Sequence, residues 1–423
     1  MAKFIIENSG PLVGEVEISG AKNAVLPILA ATLLTGDKCE IYDVPRLRDV
    51  DVMCAILRAM GATVTEDWDA HTICVEAAEL TSSEVPYELV KKMRASFFVM
   101  GPLLGRTGKT TITMPGGCSI GNRPIDLYLK GLKKLGTRIM MDNNGSIDGI
   151  ADHLRGSLVY LDFPSVGATE NIMMAAVVAD GNTIIENAAE EPEIVDLASF
   201  LNKMGADIKG AGTDTIRIRG VKELHGAKHA VIPDRIETGT FMVAAAITRG
   251  DVLIKNSIPG HVRPVIAKLM ECGAAVNDEV DGIRVRGDLN DLCSTDIKTL
   301  PYPGFPTDMQ AQFMAFLATV EGESTVMETV FENRFMHVAE LNRMGANIRV
   351  EDRKAYVPGN KRPLAGAQVV TTDLRAGAAL VLAGLYAKGR TEVSEIYHIE
   401  RGYENFVEKF TALGAKIIRV EEE

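Results

Sequence analysis

No apolar run in the chain approaches the roughly 18 residues that a membrane-crossing helix needs, so no span is expected. The opening stretch "MAKFIIENSG" also lacks the long apolar core and small-residue cleavage site of a secretion signal, and none is expected there. Cysteine is sparse: Cys39, Cys54, Cys74, Cys118, Cys272 and Cys293 form no CxxC pair and have no histidine-rich company. That pattern excludes a disulfide framework and a zinc signature and points to a reducing cytoplasm. Neither a glycine-rich dinucleotide fingerprint nor a phosphate-binding GxxxxGK[ST] loop is present, which disfavours those nucleotide folds. Positive charge is in deficit, 45 Lys and Arg against 57 Asp and Glu, for a net charge of −12. A nucleic-acid or anionic-membrane surface is therefore not expected, although a local basic cleft is compatible.

What is present is a long chain of ordinary globular composition, 423 residues and 46% hydrophobic, enough for two or three domains. Its organisation lies in a repeat. A helix-to-strand junction recurs as "LRAMGATV", "LKKLGTRI", "LNKMGADI", "LMECGAAV", "LNRMGANI" and "FTALGAKI". The glycines at its centre are Gly61, Gly136, Gly205, Gly273, Gly345 and Gly414, which are 75, 69, 68, 72 and 69 residues apart by subtraction. Such a junction reads as an amphipathic helix ending on a left-handed glycine, with a strand starting at once.

In phase with it run six helical stretches apolar nearly all round: 23–36, 95–108, 168–181, 236–250, 308–322 and 374–389. A helix without a polar face belongs inside. Six units divide into three plus three, so the expected fold is α/β, with two similar domains of buried helices and outer sheets. The expected domains are 22–230, and 1–21 together with 231–423, with the active site in the cleft between them. The methionines of these helices read as core filler, not as a cofactor box.

Polar residues gather where the six helices begin: Lys22 and Asn23, Arg94, Ser165, Asp234 with Arg235 and Glu237, Asp308, and Asp373 with Arg375. Routine capping accounts for Ser165 and Asp373. It does not account for Lys22, Arg94 or Arg375, because a cation at the positive end of a helix dipole calls for an anion. Converged on one cleft, they would hold phosphate and carboxylate groups. Arg123, Arg334 and Arg401 add cations in nearby loops; His337 and His398 share those stretches but read as packed or solvated rather than catalytic. Cys118 stands apart from a core cysteine. It follows Gly116-Gly117 and precedes Gly121-Asn122-Arg123-Pro124, the setting of an exposed loop with a reactive thiol.

The motifs "GAKNAVLP", "RAS", "PGGCSIGNRPIDL", "FPSVGATEN", "PDRIETGTFMVAAA", "FPTDMQ", "TVFENRFMH", "TTDLRAGAALVLAG" and "RGYE" run from one end of the chain to the other. Together they closely resemble the UDP-N-acetylglucosamine 1-carboxyvinyltransferases, enolpyruvyl transferases of peptidoglycan precursor synthesis. The resemblance implies an inside-out α/β barrel in each domain. It also implies transfer of the enolpyruvyl group of phosphoenolpyruvate to the 3′-hydroxyl of UDP-N-acetylglucosamine, with no cofactor and no metal. On this resemblance Cys118 is the general acid, an adduct site, and the target of fosfomycin-type inhibitors. Asp308 contacts the sugar hydroxyl and acts on its proton, while Lys22, Asn23, Arg123 and Arg401 meet phosphoenolpyruvate. Arg94, Arg123, Pro124, Ile125, Asp126, Leu127, Ser165, Val166, Asp308 and Val330 line the UDP-sugar, and Arg334 and Arg375 complete the cleft. Phe163 departs from members that carry lysine at that position. The related shikimate-type transferase lacks the cysteine loop and "GAKNAVLP", and a paralogue with a mainly regulatory role is a further alternative.

Overall fold

A computed structural model describes residues 2–114, 125–143 and 145–421. These fall into two compact units, one built from residues 20–114 and 125–232, the other from residues 2–19 and 233–421. Each has its own apolar core, running from Ala21 to Val231 in the first and from Phe4 to Ile18 and Ile236 to Ile417 in the second.

Central helices account for both cores. In the first unit they are Lys22–Ala31, Met100–Thr107 and Val166–Ala176; in the second, Arg235–Ile247, Gln310–Leu317 and Leu374–Tyr386. Every residue of Gln310–Leu317 is buried, as is every residue from Ile236 to Ile247. The absence of a polar face is thus explained by helices surrounded on all sides. Close approach depends on small residues in places. A Cβ on Gly101 would lie 2.4 Å from the Asn171 carbonyl oxygen, while the Asn171 side chain accepts the Gly101 N–H at 2.9 Å.

Sheets flank the helices, three to a unit among the described residues, and one plan repeats. The strand after a central helix pairs in parallel with a short edge strand and antiparallel with a hairpin strand. Thus Cys39–Tyr42 lies between Lys228–Ala230 and Thr72–Glu76, and Ser324–Met327 between Ile297–Lys298 and Lys354–Val357. In the three-stranded sheet the edge strand has shrunk to a single bridge, Glu84 to Thr111. All six junction glycines have positive φ, between 94° and 107°, where a side chain would be strained.

The N-terminal segment completes the second unit. Ala2–Glu7 sits between Arg390–Ser394 and Lys416–Glu421, the place that a hairpin strand fills elsewhere. Val13–Glu17 pairs in parallel with Asp251–Lys255 as that sheet's edge strand.

Two helix starts differ from the apolar pattern. The stretch from residue 95 begins as a 3-10 helix, Arg94–Val99, and turns α-helical only at Met100. The stretch from residue 308 likewise opens with the 3-10 turn Thr307–Met309. A 3-10 turn bonds i to i+3 and eclipses its side chains, a geometry that hydrophobic spacing does not reveal.

Candidate active site

In the second unit two of the expected site residues, Arg334 and Arg375, meet at a third, Asp308. Its backbone lies in the tight turn Thr307–Met309, anchored by the Gln312 amide, which donates to the Asp308 carbonyl at 2.9 Å. The Arg334 guanidinium meets one carboxylate oxygen at 2.7 Å and that of Arg375 meets the other at 3.3 Å. Both arginines are buried, at 5% and 3% exposure, whereas the Asp308 side chain remains 26% exposed. The carboxylate is therefore gripped from behind and presented in front.

Each arginine has further support. Arg334 lies over the Phe331 ring at 5.4 Å and donates to the Thr307 hydroxyl at 2.9 Å. Arg375 stacks over Tyr403 at 5.5 Å, and its backbone N–H donates to the capping carboxylate of Asp373 at 2.8 Å. Burial opposes the Arg375 charge, but Tyr403, Asp308 and Asp234 outweigh it and hold the group above its ordinary range. One Arg375 nitrogen, Nη1, is buried with no hydrogen-bond partner among the described residues.

Val330 follows the strand Ser324–Met327, and its N–H donates to the Glu328 carboxylate at 2.8 Å. Arg401 ends the short helix Tyr397–Glu400, beside His398, whose pKa is lowered by burial and by the Arg401 charge. His337 is buried, with no hydrogen-bond partner for Nε2 among the described residues; burial, the dominant cause, brings its pKa down to about 4.

In the first unit Lys22 opens its central helix and pairs with Asp49 at 2.8 Å, both side chains largely buried. Asn23 follows; Pro27, four residues on, offers no N–H to its carbonyl. Arg94 opens the 3-10 helix. Ser165 caps Val166–Ala176, its hydroxyl accepting the Ala168 N–H at 3.4 Å. Ile125 is buried, and Asp126 and Leu127 form the first turn of the helix Asp126–Lys134. Cys118, Arg123 and Pro124 lie outside the described residues.

These contacts correct one inference drawn from the helix starts. The charges of Lys22 and Arg375 do not await a ligand for all of their compensation, since Asp49 and Asp308 supply internal anions. Sequence reasoning also missed Glu328 and Thr307. Glu328 is 1% exposed and accepts from Thr299, Thr307, Val330 and Phe331. An isolated glutamate after a strand carries no signal that would single it out.

Among the described residues no group of acids, histidines and cysteines could hold a metal ion, and no helix is long and apolar enough to cross a membrane.

The family model for EPSP synthase (3-phosphoshikimate 1-carboxyvinyltransferase) matches residues 6–410. UDP-N-acetylglucosamine 1-carboxyvinyltransferase 1 of Caldanaerobacter subterraneus subsp. tengcongensis is 62% identical over 417 residues, 99% of each chain. The corresponding enzyme 1 of Staphylococcus aureus (strain N315) is 53% identical, over 99% of this chain and 100% of its own. Among solved structures, the enolpyruvyl transferase NikO from Streptomyces tendae superposes with a TM-score of 0.90 at 26% identity, over 100% of this chain and 99% of its own. An EPSP synthase from Acinetobacter baumannii shares the fold, with a TM-score of 0.78 at 18% identity over 100% of both chains. The chain belongs to the enolpyruvyl transferase family and, within it, to the UDP-N-acetylglucosamine 1-carboxyvinyltransferases.

Proposed function

We propose that this chain transfers the enolpyruvyl group of phosphoenolpyruvate to the 3′-hydroxyl of UDP-N-acetylglucosamine, releasing phosphate, as a step of peptidoglycan precursor synthesis. The observation that carries this reading is Asp308, a half-open carboxylate clamped by two buried guanidinium groups in a chain that matches such transferases from end to end. A hydroxyl needs an acceptor for its proton, and a carboxylate held in one orientation supplies it without reorganisation.

In the addition step the sugar oxygen bonds to C2 of phosphoenolpyruvate, and its proton passes toward Asp308. Cys118 gives a proton to the C3 methylene; a thiol with an ordinary pKa near 8.5 is mostly protonated at neutral pH, as a donor must be. Loss of phosphate, with loss of a proton from C3, then restores the double bond in the product. Lys22, Asn23, Arg123 and Arg401 are assigned to the anionic phosphoenolpyruvate. Arg94, Arg123 to Leu127, Ser165, Val166, Asp308 and Val330 are assigned to the UDP-sugar. Cys118 is also assigned as the site that fosfomycin-type epoxides alkylate.

Phosphate release assayed with both substrates tests this reading. Turnover should require UDP-N-acetylglucosamine and should not occur with shikimate 3-phosphate in its place. Turnover on the shikimate substrate would make the chain a shikimate-type enzyme, and none on either would leave a regulatory paralogue.

A further inference from the structure

We propose that Glu328 is a positioning residue for enolpyruvyl transfer: through Thr307 and the Val330–Phe331 backbone it fixes Arg334 against the Asp308 carboxylate. The proposal rests on the transferase reading above but concerns a residue outside the substrate-contacting set.

The geometry is a directed chain. Glu328 follows the strand Ser324–Met327 and is 1% exposed. Four donors converge on it: the Thr299 hydroxyl at 2.8 Å and the N–H groups of Val330 at 2.8 Å and Phe331 at 3.1 Å on Oε1, and the Thr307 hydroxyl at 2.9 Å on Oε2. A carboxylate's oxygens accept without presenting a competing donor, so they can gather several donors at once, as an amide of the same shape cannot. A hydroxyl has one proton. Thr307 commits its proton to Glu328 and must receive from elsewhere, and what it receives is Arg334 Nη1 at 2.9 Å. The other terminal nitrogen, Nη2, then points at Asp308 Oδ1, 2.7 Å away. A planar guanidinium held at one corner has little freedom at the next.

A second route converges on the same group. By holding the Phe331 N–H, Glu328 sets the turn that carries the Phe331 ring, and Arg334 lies 5.4 Å from that ring. The same bonds limit what Val330 can offer a ligand. Its N–H is taken, so a polar contact to the sugar nucleotide has to come from its carbonyl, which recognises a donor such as a hydroxyl or an amide N–H.

The decisive variants are Thr307→Val, Thr307→Ser, Glu328→Gln and the double Thr307→Val/Glu328→Gln, each assayed for phosphate release beside the wild type. Valine keeps the shape of threonine but breaks the relay, so kcat should fall about tenfold or more while the KM for phosphoenolpyruvate stays within about twofold. Serine restores the hydroxyl and should restore kcat. Glu328→Gln, which also turns a donor toward one of its former partners, should lower kcat similarly and raise the KM for UDP-N-acetylglucosamine. Because the two residues act in series, the double variant should fall no further than about threefold below the worse single one. A Thr307→Val enzyme as fast as wild type, additive losses, or equal rises in both KM values would overturn the proposal. If Glu328→Gln fails to fold, the valine and serine pair decides alone. Absence of wild-type turnover would sink the functional reading itself, and the positioning role with it.

Discussion

Cys118 is one of six thiols, and the others set the background for the reactivity proposed for it. Burial, the dominant cause, pushes the Cys54 and Cys272 thiols up to about 12 and raises Cys39 as well, so these stay protonated and unreactive. Cys74 is half-buried and Cys293 exposed, so Cys293 is the more accessible competitor. An epoxide phosphonate should therefore label Cys118, as peptide mass spectrometry would show; a label on Cys293 would refute the assignment. Cys118→Ala should abolish turnover with the fold intact. Asp308→Ala should lower kcat by on the order of 10² or more while weakening UDP-sugar binding far less. Normal turnover in that variant would reduce Asp308 to a partner of its two arginines. At this scale the sequence marked residues whose type is odd for their place, a thiol among glycines and cations at helix starts. It was silent on Glu328, Thr307 and Asp49, because an acid or a hydroxyl in its own segment looks like any other until the fold brings a guanidinium or ammonium to it.

His337 opens the helix His337–Arg343 and shows what an element carries for being buried beside a site. Burial, partly offset by Asp373 and reinforced by Arg334, lowers its pKa from the ordinary 6.5 to about 4. The unfolded chain therefore binds this proton more tightly than the native one between those values. Stability from this group is full above about pH 6.5 and is lost as pH falls toward 4. His337→Gln should flatten that part of the decline, read as the difference between the two proteins in melting temperature against pH; identical slopes would show that the imidazole is already charged in the native state. Elements were legible where periodicity and glycine agreed, as at the six junctions with positive φ. They were illegible where the backbone tightened. Arg94–Val99 is as apolar as an α-helix would be there and Thr307–Met309 runs straight into Gln310–Leu317, so the spacing looked unbroken.

The repeat made three-plus-three units legible from the chain, because one packing solution must reuse one sequence pattern. How strands are shared among the units is less visible, since an edge strand of three residues such as Lys228–Ala230 has no periodicity of its own. The second unit is built from two separate stretches of chain, residues 2–19 and 233–421. Ser19 accepts the Asp234 N–H through its carbonyl at 2.9 Å, so the end of the N-terminal segment lies beside the start of the C-terminal one. Ser19 is further held by Glu237, which accepts its N–H at 2.9 Å, and by Lys409 and Glu404 at its hydroxyl, both at 2.7 Å. Residues 233–423 alone lack both Ala2–Glu7, the strand between Arg390–Ser394 and Lys416–Glu421, and the edge strand Val13–Glu17. Two sheets would then be left with unpaired N–H and C=O groups and an opened apolar face. That fragment should show no cooperative melt. A chain joining residues 1–19 to 233–423 through a short glycine linker should melt cooperatively, because every strand of its three sheets is present and the join spans a gap already closed by a hydrogen bond. Circular dichroism melts of the two chains decide it: cooperative folding of residues 233–423 alone would mean that the central helices suffice and that the N-terminal strands are additions to a finished core.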